Sequence, residues 1–166
     1  EGQKSAFEFA KEYADEFEDV KKTGRGAIFC GKPGTGKTHL SIGIALAIME
    51  KGNSALFTTV QRIVRRMKET FKKDAIDSER DVINILVYPD LLIIDEIGVQ
   101  FGTDFEKNLM FDILNERYEK RKATLLLSNL TAQEVKAFLG ERIYDRLRED
   151  GGKLIPFDWN SHRGLA

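Results

Sequence analysis

Over residues 5–20 the apolar positions Phe9, Ala10, Tyr13 and Phe17 share one helical face, and Ser5 with Glu8 has the spacing of a capping box. This predicts an amphipathic first helix, ended by the polar Lys21-Lys22-Thr23-Gly24. Ala27-Ile28-Phe29-Cys30 is a short apolar run that stops at Gly31, as a buried strand entering a turn does, and residues 37–51 beyond the turn return to helix. The alternation repeats. Ala55-Leu56-Phe57 reads as a strand, followed by Val60, Ile63, Val64, Met67 and Phe71 at three-four spacing, a polar stretch over 72–79, and a short helix ending before Pro89. Leu91-Leu92-Ile93-Ile94 and Leu125-Leu126-Leu127 are apolar throughout, which marks central strands of a parallel sheet covered on both faces. A helix over 104–121 separates them; a helical region over 132–149 and a strand over Leu154–Phe157 complete the chain. Strands alternating with helices predict a doubly wound α/β fold with its ligand chemistry at the carboxyl ends of the strands.

At 166 residues the chain has room for one core and one domain, and no repeat, low-complexity tract or Pro-rich linker divides it. Lys plus Arg (26) nearly cancels Asp plus Glu (27), so no global positive field draws the molecule to nucleic acid or membrane, and any such affinity must be local. Cys30 is the only cysteine and cannot form an internal disulfide; two histidines provide no zinc cluster. Cys30 reads as a small core residue. With no basic leader and no run of about eighteen apolar residues, the expectation is a soluble cytoplasmic protein without a membrane contact.

Gly31-Lys32-Pro33-Gly34-Thr35-Gly36-Lys37-Thr38 matches the phosphate-loop pattern, and it lies where the mechanism requires it, after a strand and at the start of a helix. Glycines at 34 and 36 let the backbone wrap an anion so that successive N–H groups and the helix N-terminus face it. Lys37 is expected to reach the β and γ phosphates, and the Thr38 hydroxyl to ligate magnesium. His39 ends the stretch expected along the nucleotide, read as a packing residue rather than a catalytic one. The plain structural alternative is a Gly-rich turn with a chance Lys and Thr.

The apolar run 91–94 ends in Asp95-Glu96, a strand tip that can aim carboxylates at a metal. Asp95 is expected to hold magnesium through its water shell, and Glu96 to orient and deprotonate an attacking water as general base. At the tip of the next strand, Asn129 can bond both that water and a phosphate oxygen; an Asn opening a loop is also an ordinary turn residue. A small-molecule phosphotransferase is the competing enzyme class, and an acid pair placed to activate water counts against it.

Gly140-Glu141-Arg142-Ile143-Tyr144-Asp145-Arg146-Leu147-Arg148 brings three arginines together. With Gly31–Thr38, the run Leu91–Gln100, Ser128-Asn129 and the closing Phe157-Asp158-Trp159-Asn160-Ser161-His162-Arg163, it makes nearly the whole chain resemble the AAA+ domain of bacterial replicative-helicase loaders of the DnaC type. The loop pattern is common to all P-loop NTPases; the stretch after Glu96 and the Gly-Glu-Arg segment are more particular. The resemblance implies a single AAA+ ATPase domain over 1–166, with a three-layer P-loop fold of the ASCE kind, a five-stranded parallel sheet and no helical lid. It implies ATP/ADP and Mg2+ as ligands, a replicative DNA helicase and single-stranded DNA as partners, and a homo-oligomer joined head to tail as a spiral or ring, with association of the isolated domain left open. Arg146 is by its place in the motif the arginine finger given to a neighbour, with Arg142 and Arg148 as alternatives, and Arg117 and Arg121 are expected to face the same neighbour. Arg163 has no assigned role. These loaders carry an N-terminal helicase-binding segment, and the expectation is a truncated sequence. A helper ATPase of insertion-sequence transposition shares the core and stands as the alternative.

Arg62, Arg65, Arg66, Lys68, Lys72 and Lys73 lie opposite the apolar Val60, Ile63, Val64 and Met67. Such a face can bind a phosphate backbone, and the resemblance makes single-stranded DNA the expected ligand. Phe71 and Phe105 are candidate base-stacking aromatics; a wet charged face, with Phe71 continuing the core spacing, is the alternative.

Overall fold

A computed structural model describes residues 1–99 and 103–161; Gln100, His162 and Arg163 of the motifs above lie outside them. Strands β1 (Ala27–Gly31), β2 (Ala55–Thr59), β3 (Leu91–Asp95), β4 (Ala123–Ser128) and β5 (Lys153–Phe157) form one parallel sheet in the order β2-β3-β4-β1-β5. Helices α1 (Gly2–Asp15) and α2 (Phe17–Thr23) precede β1, and α3 (Lys37–Glu50) joins it to β2. Helices α4 (Val60–Glu69) and α5 (Glu79–Val87) lead to β3, α6 (Asp104–Glu119) to β4, and α7 (Ala132–Leu139) with α8 (Glu141–Arg146) toward β5. The all-apolar strands serve two cores at once, because successive side chains point to opposite faces. Ala27, Phe29, Leu91, Ile93, Leu125 and Leu127 pack with α1, α2 and α3, whereas Ile28, Cys30, Leu92, Ile94 and Leu126 pack with α4 to α8. Burial pushes the Cys30 thiol pKa up, in keeping with a core role.

Helix boundaries depart from the sequence pattern at three places. The first helix starts at Gly2, not Ser5, and the Ser5–Glu8 box does not form: the Ser5 N–H already donates to Glu1 O, inside the helix. The Lys-Lys segment is helical too, after a break at Glu16; α2 stops only at Gly24, whose left-handed backbone (φ 73) lies against the Arg121 main chain, 2.6 Å from where a Cβ would stand. The region 132–149 is cut at Gly140, where φ 80 and ψ 153 end one helix and begin another. Capping boxes do form at Ser78–Asp81, Thr103–Glu106 and Thr131–Glu134, each at the head of a helix.

Arg117 does not face a neighbour as expected. Its side chain is fully buried and donates to Thr124 Oγ1 and to the carbonyls of Leu86, Val87, Pro89 and Ala123. One guanidinium thus ties α6 to the end of α5, the turn before β3 and the start of β4. Burial lowers its pKa to about 9, which leaves it charged at neutral pH. At the sheet edge, Phe157 O accepts from Lys32 N–H, so the peptide groups of Phe157 face β1 and those of Pro156 face outward, where a missing N–H costs no ladder bond.

Two substitutions test this frame. Arg117→Met strands several buried carbonyls and is expected to lower stability by about 3 kcal/mol or more, read as a shifted urea midpoint at unchanged slope. Gly31 has φ 121 and its Cβ would stand 2.5 Å from Phe157 O, whereas Gly36, at φ 94, has nothing within 4 Å. Gly31→Ala is therefore expected to lower the melting temperature clearly more than Gly36→Ala, by differential scanning fluorimetry.

Candidate functional site

β1 delivers the chain to the loop and α3 takes it away. Between them Gly34 (φ 73) and Gly36 (φ 94) hold left-handed conformations that a Cβ disfavours, and Gly36 is the residue from which α3 starts. Lys32 and Pro33 are exposed and Thr35 is buried, its hydroxyl donating to Lys32 O at 2.8 Å. Lys37 lies along the loop, its ammonium donating to Gly31 O (2.8 Å) and Lys32 O (2.5 Å). His39 is exposed on the first turn of α3, not packed in the core as the sequence reading has it; a residue that follows the anion-facing start of the helix turns outward with it.

The two halves of the candidate magnesium site meet. The Thr38 hydroxyl donates to Asp95 Oδ2 at 2.7 Å across 57 positions of sequence, and the Glu96 N–H donates to Asp95 Oδ1 at 2.7 Å. Glu96 takes a left-handed backbone (φ 62), a strain of about 1–3 kcal/mol for a residue with a Cβ, and its side chain is exposed at the strand tip. The turn beyond it is pinned by Ile97 N–H on Leu127 O and by the buried Ser128 hydroxyl on Ile97 O (2.6 Å). Asn129 is exposed one position past β4; Ser128 pairs with Cys30, so Asn129 stands level with the start of the loop. Among the described residues no group of three or more His, Cys, Asp or Glu could cage a metal. That sparse set fits magnesium, which keeps several waters and takes one or two protein oxygens beside substrate phosphates.

Beside the loop lies a cavity of about 800 Å³, lined among others by Ala6 and Phe7 of α1, Gly34 to Gly36, His39 and Trp159. Sequence reasoning missed α1 and Trp159 as parts of this site. One signal was present: Phe7, 61% exposed, is a large aromatic on the polar side of an amphipathic helix.

Arg146 is far from the loop of its own chain. With Gly24, Lys122 and Thr124 it lines a hollow at the amino ends of β1 and β4, about 16 Å of strand away from the carboxyl ends where the loop sits. Its guanidinium lies 4.3 Å over the Tyr118 ring and donates to Asn115 Oδ1. Arg142 and Arg148 are exposed, over the rings of Phe111 and Tyr144.

On α4, Arg62, Arg65 and Arg66 are exposed opposite the buried Ile63, Val64 and Met67. Acids temper this face: Arg66 meets Asp77 at 3.4 Å, and Lys72 meets Glu69 at 2.5 Å. Phe71 does not continue the core stripe. The helix ends at Glu69, Phe71 is 56% exposed, and its ring meets that of Phe105, itself 38% exposed, edge to face at 6.0 Å. Both sequence-selected aromatics thus form one exposed pair.

The model of the family described as IstB-like ATP binding protein matches residues 19–161. The replicative helicase loader DnaC of Escherichia coli strain K12 is 39% identical over 163 residues, which are 98% of this chain and 65% of that protein. DnaC of Buchnera aphidicola subsp. Acyrthosiphon pisum (strain APS) is 37% identical over the same shares, so the chain spans 65% of the length of these relatives. Among solved structures, a crystal structure of the DnaC helicase loader aligns with TM-score 0.81 at 23% identity, covering 93% of this chain and 89% of that one. Replication initiator DnaA bound to AMPPCP and single-stranded DNA aligns with TM-score 0.78 at 24% identity, covering 96% and 47%. The shared fold is the AAA+ P-loop domain. With the phosphate loop, the Thr38–Asp95 contact and a family match running through both, the chain belongs to the IstB-like ATP-binding proteins.

Proposed function

We propose that this domain binds ATP with magnesium and hydrolyses it, and that it is the ATP-controlled part of a replicative-helicase loader. The observation that carries the enzymatic reading is the 2.7 Å contact between Thr38 and Asp95, which unites the phosphate loop with the acidic strand tip. The loop N–H groups and Lys37 bind the phosphates. Thr38 and Asp95 would hold magnesium, which would supply positive charge against the phosphates. Glu96 takes the proton of the attacking water, Asn129 orients that water against the γ phosphate, and ADP and phosphate leave. Arg146, at the opposite end of the sheet, serves a neighbour's γ phosphate, which makes the contact heterologous and the assembly a ring or an open spiral.

The loader reading rests on the 39% identity to the E. coli loader. Arg62, Arg65 and Arg66 bind single-stranded DNA backbone and the Phe71–Phe105 pair offers a stacking platform. Among the described residues no helix is long and apolar enough to cross a membrane. The family match also favours a second reading, a transposition helper of the same core, for which preference for duplex DNA and a transposase partner would speak.

Glu96→Gln is expected to keep ATP bound in calorimetry while turnover falls at least about 100-fold. Unchanged turnover would remove Glu96 as the base. Arg146→Ala is expected to bind ATP normally and lose turnover, and mixing it with Lys37→Ala protein to restore part of it; no recovery counts against a shared site. The double substitution Phe71→Ala with Phe105→Ala is expected to weaken single-stranded DNA binding about fivefold or more by fluorescence anisotropy, leaving ATP affinity unchanged. The loader reading itself is tested by pull-down of the full-length protein with a replicative helicase, with and without ATP. No association in either state would sink it.

A further inference from the structure

The motif that closes the chain has no part in the roles above, yet the structure holds it against the phosphate loop at three points. Lys32 N–H donates to Phe157 O at 2.9 Å, the Trp159 indole Nε1–H to Thr35 O at 3.1 Å, and the Ser161 hydroxyl reaches Gly34 O at 3.4 Å. A loop that turns successive N–H groups toward an anion turns its carbonyls the other way, and each of those needs a donor. Lys37 serves the Gly31 and Lys32 carbonyls, but its ammonium is also the group that a triphosphate recruits. Trp159 has no such second duty. It is fixed from its far side: its ring lies 4.7 Å from Phe157, whose ring lies 5.0 Å from Phe29 of β1, and it also packs close to Gly2 at the head of α1.

The bond matters through one peptide plane. Thr35 C=O and Gly36 N–H belong to the same planar trans unit, so a carbonyl held outward aims that N–H at the phosphate side. Gly36, with φ 94 and open space where its Cβ would stand, offers the plane little resistance to turning over. We propose that Trp159 is a positioning residue of the phosphate loop, pinning the Thr35–Gly36 peptide in its anion-binding orientation whether or not Lys37 is engaged. The proposal rests on the nucleotide-binding reading and adds the tail to that site.

Trp159→Phe keeps a ring beside Phe157 and removes the donor. Calorimetry on both proteins with MgATP, MgADP and magnesium pyrophosphate is expected to show all three affinities reduced by a common factor, about two- to tenfold as for one hydrogen bond, with the ligand-free melting temperature unchanged. Equal affinities in the two proteins overturn the proposal. So does a loss for ATP and ADP that spares pyrophosphate, since that marks a contact with the nucleoside instead. Wild-type protein that binds none of the three overturns the nucleotide reading itself, and the pin with it. If the variant also melts lower, amide hydrogen exchange decides: the pin requires faster exchange at Gly36 with β1 protection unchanged, and acceleration of both means general loosening and rejects it.

Discussion

The hydroxyl–carboxylate bond between Thr38 and Asp95 is the contact on which the site depends, because it joins parts of the chain that the sheet keeps apart. β1 and β3 are not neighbours; β4 lies between them. Only the start of α3, leaning over the carboxyl end of the sheet, brings a loop residue to the tip of β3. Everything that fixes those two ends serves the contact: the glycines that let α3 start where it does, the Ser128 hydroxyl that fastens the turn after Glu96, and the Arg117 guanidinium that sets the approach to β3.

Polarity along the strands then separates the two chemistries. The candidate phosphate and metal groups gather at the carboxyl ends, where helix α3 begins and its N–H groups are unspent. Arg146 and its aromatic partner Tyr118 lie toward the amino ends, on α8 and α6.

Much of this was legible in the sequence, for physical reasons that differ by element. Strands covered on both faces must be apolar throughout, so Leu91–Ile94 and Leu125–Leu127 declared themselves, and the loop and acid pair are local patterns that carry their chemistry in consecutive residues. Helix starts were less legible: Ser5–Glu8 has the letters of a capping box but sits inside a helix that begins earlier, while the boxes that form all stand where an N-cap is free to adopt extended backbone. Arg117 was misread by its charge. It follows Ile113 and Leu114 by four and three positions and so lies on the buried stripe of α6, a periodicity that outranks residue type when carbonyls wait to be satisfied. The parts of the site that went unseen, Phe7 and Trp159, come from the two ends of the described chain and meet only in the folded molecule.

Pro156 has a wider consequence. It lies on the outermost strand with its imide nitrogen directed away from the sheet, so a foreign strand laid along that border would find a donor absent from the row it needs. Growth of the sheet from molecule to molecule is discouraged at that border.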